Sequence, residues 1–152
     1  MNMEGLRYLV LGVFAGMSVC MEMSLNSLLG RHVGVLRSTL APFITGLIAL
    51  LIILFFVTGE RLGSLNQWMK APWYSLFGGL FAALFVAINI FIIPKVGIAA
   101  GLSAVIVGQL LLSTFFDSMG WFGLERIPIS LPRIIGMVLL IVGVRLMFLR
   151  ST

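Results

Sequence analysis

The sequence predicts an all-α integral membrane protein with five transmembrane helices per chain, and three observations predict it. Hydrophobic residues make up 61% of the 152-residue chain and charged residues only 10%, whereas a soluble domain is nearer half apolar and about a quarter charged. That much apolar surface exceeds what a compact fold of this length can hide, so lipid must be the solvent for a large part of it. The apolar residues also fall in five continuous runs, each near the length that crosses a bilayer. Barrel strands would alternate instead.

The five helices are expected over about 6–29, 40–57, 73–93, 96–119 and 131–149, and together form a single transmembrane domain covering 1–152. A span of hydrocarbon takes about 20 apolar residues. The first run, 6–29, starts beside two charges, Glu4 just before it and Arg7 at its beginning. It is too long for the apolar part of a secretory signal and contains no small-x-small cleavage site, so no cleaved leader is expected. Gly30-Arg31-His32-Val33-Gly34 reads as the loop before the second run. A polar segment, 58–72, separates the second run from the third. Pro94-Lys95 reads as a very tight reversal between the third and fourth. The stretch 120–132 joins the fourth to the fifth, with Pro128 and Pro132 near the start of the last helix. Gly12-x-x-x-Gly16, Gly97-x-x-x-Gly101 and Ala104-x-x-x-Gly108 have the spacing that lets helix backbones approach closely in a membrane.

A net charge of +5 does not point to nucleic acid. The Arg and Lys residues stand singly at the ends of apolar runs, as snorkelling side chains do, and form no phosphate-binding cluster. Short-loop Arg and Lys residues normally orient a membrane protein. Here one side of the predicted topology holds Arg7, Arg61, Lys70, Arg126 and Arg133, and the other holds Arg31, Arg37, Lys95, Arg145 and Arg150. The balance leaves no bias to choose an orientation. Either topology is fixed by other means, or the helix count is off by one, or copies insert both ways. The last is the expected arrangement, with the copies paired as an antiparallel homodimer of ten helices around a midplane site.

Polar side chains within the runs are few. Glu22 is the most costly of them, about 10 Å below the end of its helix at 1.5 Å rise per residue. It should face a cavity, pair with a cation or carry a proton. Ser18, Glu22 and Asn26 recur at a spacing of four and so share one face of the first helix. In an antiparallel dimer two copies of Glu22 would approach one central space, where mutual repulsion favours holding a proton. Gln109, Ser113 and Asp117 form a second stripe on the fourth helix, with Gln109 as a deeper lining residue and Asp117 as a solvated acid near the helix end. Asn89 stands alone in the third helix, where interhelical hydrogen bonding is its first reading and cavity lining its second.

The other candidates have plain structural readings. Cys20 is a small packing residue without an intrachain disulfide partner. His32 is interfacial, and Trp68, Trp73 and Trp121 form an interfacial belt. Met17, Met21 and Met23 are flexible packing. No nucleophile elbow, phosphate loop or metal-ligand spacing appears, so neither catalysis, nor a metal, nor a cofactor is expected.

The stretches Ile92-Ile93-Pro94-Lys95-Val96-Gly97-Ile98-Ala99-Ala100, Gly108-Gln109-Leu110-Leu111-Leu112-Ser113, Asp117 and Gly120-Trp121-Phe122-Gly123 resemble the YdcZ-type family of inner-membrane exporters, within the drug/metabolite transporter superfamily. Asn26 followed by Leu29-Gly30 fits the same pattern. The resemblance implies a five-helix unit that pairs antiparallel and a multi-pass place in the bacterial inner (plasma) membrane. Family members usually carry Gln where this chain has Glu22. The departure makes a proton-titratable centre available, as in the related four-helix multidrug exporters, whose first helix has an essential Glu.

The function expected from these readings is proton-coupled export of small cationic or amphipathic metabolites. Glu22 would bind proton and substrate in turn, with Asn26, Ser18, Asn89, Gln109 and Ser113 lining the site. Two alternatives stay open. One is a passive dual-topology ion channel or uniporter. The other is a non-transporting structural or regulatory membrane subunit. The expected partners are the lipid bilayer, protons, a small-molecule substrate and a second copy of the chain.

Overall fold

A computed structural model describes residues 3–58, 63 and 65–149. In chain order the helices are α1 (Met3–Val33), α2 (Val35–Ile52), the short α3 (Leu65–Trp68), α4 (Gly78–Val96), α5 (Ile98–Met119) and α6 (Leu131–Phe148). A π-helical turn, Ile53–Val57, extends α2, and a 3₁₀ turn, Trp73–Phe77, leads into α4. A second 3₁₀ turn, Trp121–Gly123, follows α5. Among the described residues there is no strand.

Five stretches are long and apolar enough to cross a membrane: Gly5–Val33, Val35–Val57, Trp73–Val96, Ile98–Met119 and Leu131–Phe148. The most apolar windows within Val35–Val57 and Leu131–Phe148 have none of their residues buried, and that of Trp73–Val96 only 22%. Side chains such as Leu36, Phe56, Leu80 and Leu139 stand largely exposed. Surfaces this apolar require lipid or another chain against them.

The described chain divides into two compact units, Met1–Phe91 and Ile92–Thr152, with the boundary inside α4. In the first unit α1 packs on α2. Its buried residues are Met23, Asn26 and Ser27 on α1, Ser38 and Thr39 on α2, and Val86, Asn89 and Ile90 on α4. Met23, Asn26, Ser27 and Gly30 follow the i, i+3, i+4, i+7 rule of one helix face. Gly30 is tightly enclosed: a Cβ there would lie 2.5 Å from Ile90 Cγ2 and 3.3 Å from Ser38 Oγ. In the second unit α5 packs on α6. Thr114 Oγ1 bridges the pair by donating to Met137 Sδ at 3.6 Å.

The breaks between helices are shorter than the sequence suggests. The expected loop at 30–34 is a single residue, because α1 runs on to Val33 and α2 begins at Val35 instead of 40. Arg31 and His32 complete the last turn of α1, where basic side chains complement the helix dipole. The expected reversal at Pro94-Lys95 is likewise helical, and α4 ends only at Val96. Pro94 removes one N–H from the ladder but tolerates helical dihedrals near the end of α4.

Gly34 and Gly97 make these two breaks with the same backbone. Gly34 has φ 87° and ψ 161°, and Gly97 has φ 87° and ψ 159°. That region is open essentially to glycine alone. Each glycine N–H donates to the carbonyl four residues back (Gly30, 2.9 Å; Ile93, 2.8 Å), and each carbonyl accepts from the N–H four residues on (Ser38, 3.1 Å; Gly101, 3.0 Å). The match extends along the flanking helices. Asn26 and Asn89 each lie eight residues before their glycine, and Ser38 and Gly101 four after, and all four are buried.

Two packing expectations need correction. Gly12, Gly16 and Gly108 make no close approach within the chain, since a Cβ on any of them would meet nothing within 4 Å. Gly101 does, with Ile93 Cγ1 at 3.2 Å from the added Cβ. Asp117 is not simply a solvated acid. Its Oδ2 accepts from Arg133 Nη1 on α6 at 3.1 Å, and its backbone carbonyl accepts from Ile127 N–H at 2.9 Å.

Candidate functional site

The polar stripe of α1 is set in an apolar helix that contains no proline. Within it, Ser18 is exposed and donates to the carbonyl of Phe14 at 3.1 Å, one turn back. A hydroxyl bonded this way satisfies itself inside the helix. Four residues on, Glu22 is half-buried. Asn26 is buried and donates through Nδ2 to Glu22 Oε1 at 3.3 Å. Among the described residues the partner of the carboxyl is an amide and not a cation.

Asn89 is 1% exposed on the inner face of α4. Its Nδ2 donates to the Phe85 carbonyl at 2.8 Å, while its buried Oδ1 has no hydrogen-bond partner. A buried acceptor left unpaired is uncommon and destabilising. Asn26, Ser27, Ser38, Thr39 and Asn89 together give the first unit a core in which polar residues outnumber the apolar Met23, Val86 and Ile90.

Sequence reasoning missed Ser38 and Thr39. Both bond within their own helix, to the Val35 carbonyl at 2.9 and 2.8 Å. With α2 expected to start at 40, they fell in a loop. The signal that could have found them is the run Val35–Ala41, which carries no breaker once Gly34 alone is taken as the break; Pro42 follows it but is held inside α2.

The second stripe lies on α5, in the other unit. Gln109 and Ser113 are both exposed, and Ser113 donates to the Leu110 carbonyl at 3.2 Å. Ser113 also borders a cleft of about 300 Å³ between α5 and α6, together with Leu110, Thr114, Asp117, Arg133, Gly136, Met137 and Leu140. At the nearby end of α5, Phe115, Phe116, Trp121 and Phe122 cluster, with ring centroids 5.1–6.2 Å apart. Trp68 and Trp73 are exposed in the segment before α4. Of the charges counted for topology, Arg61 and Arg150 lie outside the described residues.

Cys20 is a free thiol, half-buried on α1. No group of three or more His, Cys, Asp or Glu residues capable of holding a metal occurs among the described residues.

No curated protein and no solved structure matches the chain. The sequence model of the family described as "Putative inner membrane exporter, YdcZ" matches residues 7–146, a stretch that takes in all five membrane-length helices almost completely. The chain thus belongs to the YdcZ family of inner-membrane exporters and is a multi-pass protein of the inner membrane.

Proposed function

We propose that the protein is a proton-coupled exporter of small cationic or amphipathic metabolites, and that Glu22 binds the proton and the substrate alternately. The observation that carries this reading is the setting of Glu22: a carboxyl inside a membrane-length helix, half-buried, with an amide partner at 3.3 Å. A carboxyl locked to Arg or Lys would be a structural charge. One held by a neutral amide stays free to exchange a proton for a cation. Competition for one group couples the two fluxes, because neither can occupy it while the other is bound.

The working unit in this proposal is an antiparallel homodimer. Three observations support it: the even split of Arg and Lys between the two ends of the spans, the odd number of spans, and the bare apolar surface of every helix. Asn26 positions the Glu22 carboxyl, exposed Ser18 lines the route, and Asn89, buried in the core of the same unit, joins the lining when that core opens to substrate. Gln109 and Ser113, exposed on α5, supply polar lining of their own. The lipid bilayer, protons and a small organic cation are the partners.

The test is transport by protein reconstituted in vesicles under an imposed pH gradient. Substrate-driven proton movement is expected in the parent protein and is expected to vanish in Glu22→Gln. Proton movement persisting in Glu22→Gln would remove Glu22 from the mechanism. Flux far above carrier rates, with no proton movement even in the parent protein, would favour a passive channel.

A further inference from the structure

Apart from Ser113, the residues of the cleft between α5 and α6 have no part in the proposed transport reaction. It has a polar mouth and an apolar floor. Asp117 and Arg133 stand at the mouth, paired at 3.1 Å and both partly exposed, at 28% and 37% of their side-chain surface. Leu110, Met137 and Leu140 line the deeper part, one to two turns further into each helix. The volume of about 300 Å³ is at the lower end of what small-molecule sites hold.

The position of the cleft along the helices fixes its depth in the membrane. Asp117 lies three residues before Gly120, the left-handed residue that ends α5. Arg133 is in the first turn of α6. Both are therefore at the water boundary of their spans, where Trp121 also sits, as aromatic residues at such boundaries do. From there the apolar floor runs toward the bilayer centre. A ligand filling the cleft must be charged at the surface end and hydrocarbon below, which is the build of a membrane lipid.

The charges at the mouth select among lipids. A lone Arg there would draw an anionic headgroup. The Asp117 carboxylate, 3.1 Å from the guanidinium, cancels that attraction and adds a site for a cationic group. The two side chains together offer donors for a phosphate and acceptors for an ammonium. The Ser113 hydroxyl, at the rim, adds a further polar contact. We infer that this cleft is a binding site for a zwitterionic, amine-bearing phospholipid, its phosphate on Arg133, its ammonium on Asp117 and one acyl chain along Leu110, Met137 and Leu140.

The proposal does not depend on Glu22 or on transport, and its test reads lipid directly. The full-length protein is placed in vesicles of equal phosphatidylethanolamine and phosphatidylglycerol, extracted, and weighed by native mass spectrometry to identify the lipid retained. Phosphatidylethanolamine is expected to be retained in preference. Asp117→Asn is expected to move the balance toward phosphatidylglycerol by about fivefold, the worth of one surface charge. Arg133→Gln is expected to lose both lipids from the site. An Asp117→Arg/Arg133→Asp double variant keeps the ion pair as a folding control and is expected to keep phosphatidylethanolamine. Equal retention of both lipids in the parent protein, or an unchanged balance in Asp117→Asn, would overturn the assignment. Displacement of the lipid by water-soluble glycerophosphoethanolamine would also overturn it, since the site would then recognise a soluble zwitterion and not a lipid.

Discussion

Asn26 donates a 3.3 Å hydrogen bond to Glu22, one turn earlier on the same helix. The two side chains form a local unit that needs no other element to assemble it. Glu22 is only half-buried while Asn26 is buried, so the acid is held by a side chain of the core.

Removing that anchor should weaken function without removing the acid. A hydrogen bond to a charged group contributes about 1.5–3 kcal/mol. Asn26→Leu is accordingly expected to lower substrate-driven proton movement by about tenfold or more, while Asn26→Gln restores part of it. The comparison of the two variants in reconstituted vesicles, at equal protein content, checks this. Equal activity in Asn26→Leu and the parent protein would show that the anchor is dispensable.

Gly30→Ala is expected to destabilise the first unit. Its new methyl would meet Ile90 Cγ2 at 2.5 Å, and Ile90 is buried and stiff at its β-branch. Overpacking of this kind costs about 1–3 kcal/mol. Thermal unfolding in detergent should fall for Gly30→Ala and stay put for Gly136→Ala, whose methyl meets nothing within 4 Å.

Gly34→Ala and Gly97→Ala are expected to be harmful for a different reason. Neither has a neighbour within 4 Å of the added Cβ, yet both have φ 87°. The penalty lies in the backbone, at about 1–3 kcal/mol for each. Lower melting temperatures for both variants, additive in the double variant, would check this. A full-stability Gly34→Ala would mean that α1 and α2 can join in some other way.

The Asp117–Arg133 pair is partly exposed, so its breakage should matter little to stability. Pairs of this kind are worth about 0.2–1 kcal/mol. Asp117→Asn is expected to shift the melting temperature only slightly, and less at high salt. A large loss of stability would indicate a buried ion pair in the assembled protein.

Dual insertion is checked by labelling. With Cys20→Ser as background, a cysteine placed near either terminus should react with a membrane-impermeant reagent from both sides of the membrane. Reaction from one side only would end the antiparallel arrangement.

The five spans were legible because length and continuity of apolar residues are all that lipid demands of a helix. Their joints were not. Arg31, His32, Pro94 and Lys95 are residue types that commonly mark loops, but each fits the last turns of a helix, and only Gly34 and Gly97 leave the helical region. That misplacement hid Ser38 and Thr39 from the candidate core. Glu22 with Asn26 could be found from spacing alone because the contact is local to one helix. Asp117 with Arg133 could not, since it depends on how α5 and α6 are placed side by side, which no periodicity encodes.

The one-residue joint at Gly34 has a mechanical consequence. With no slack between them, the end of α1 and the start of α2 cannot move apart. A displacement carried along α1 from Glu22 to its C-terminal end is thereby passed to the start of α2 through a single residue.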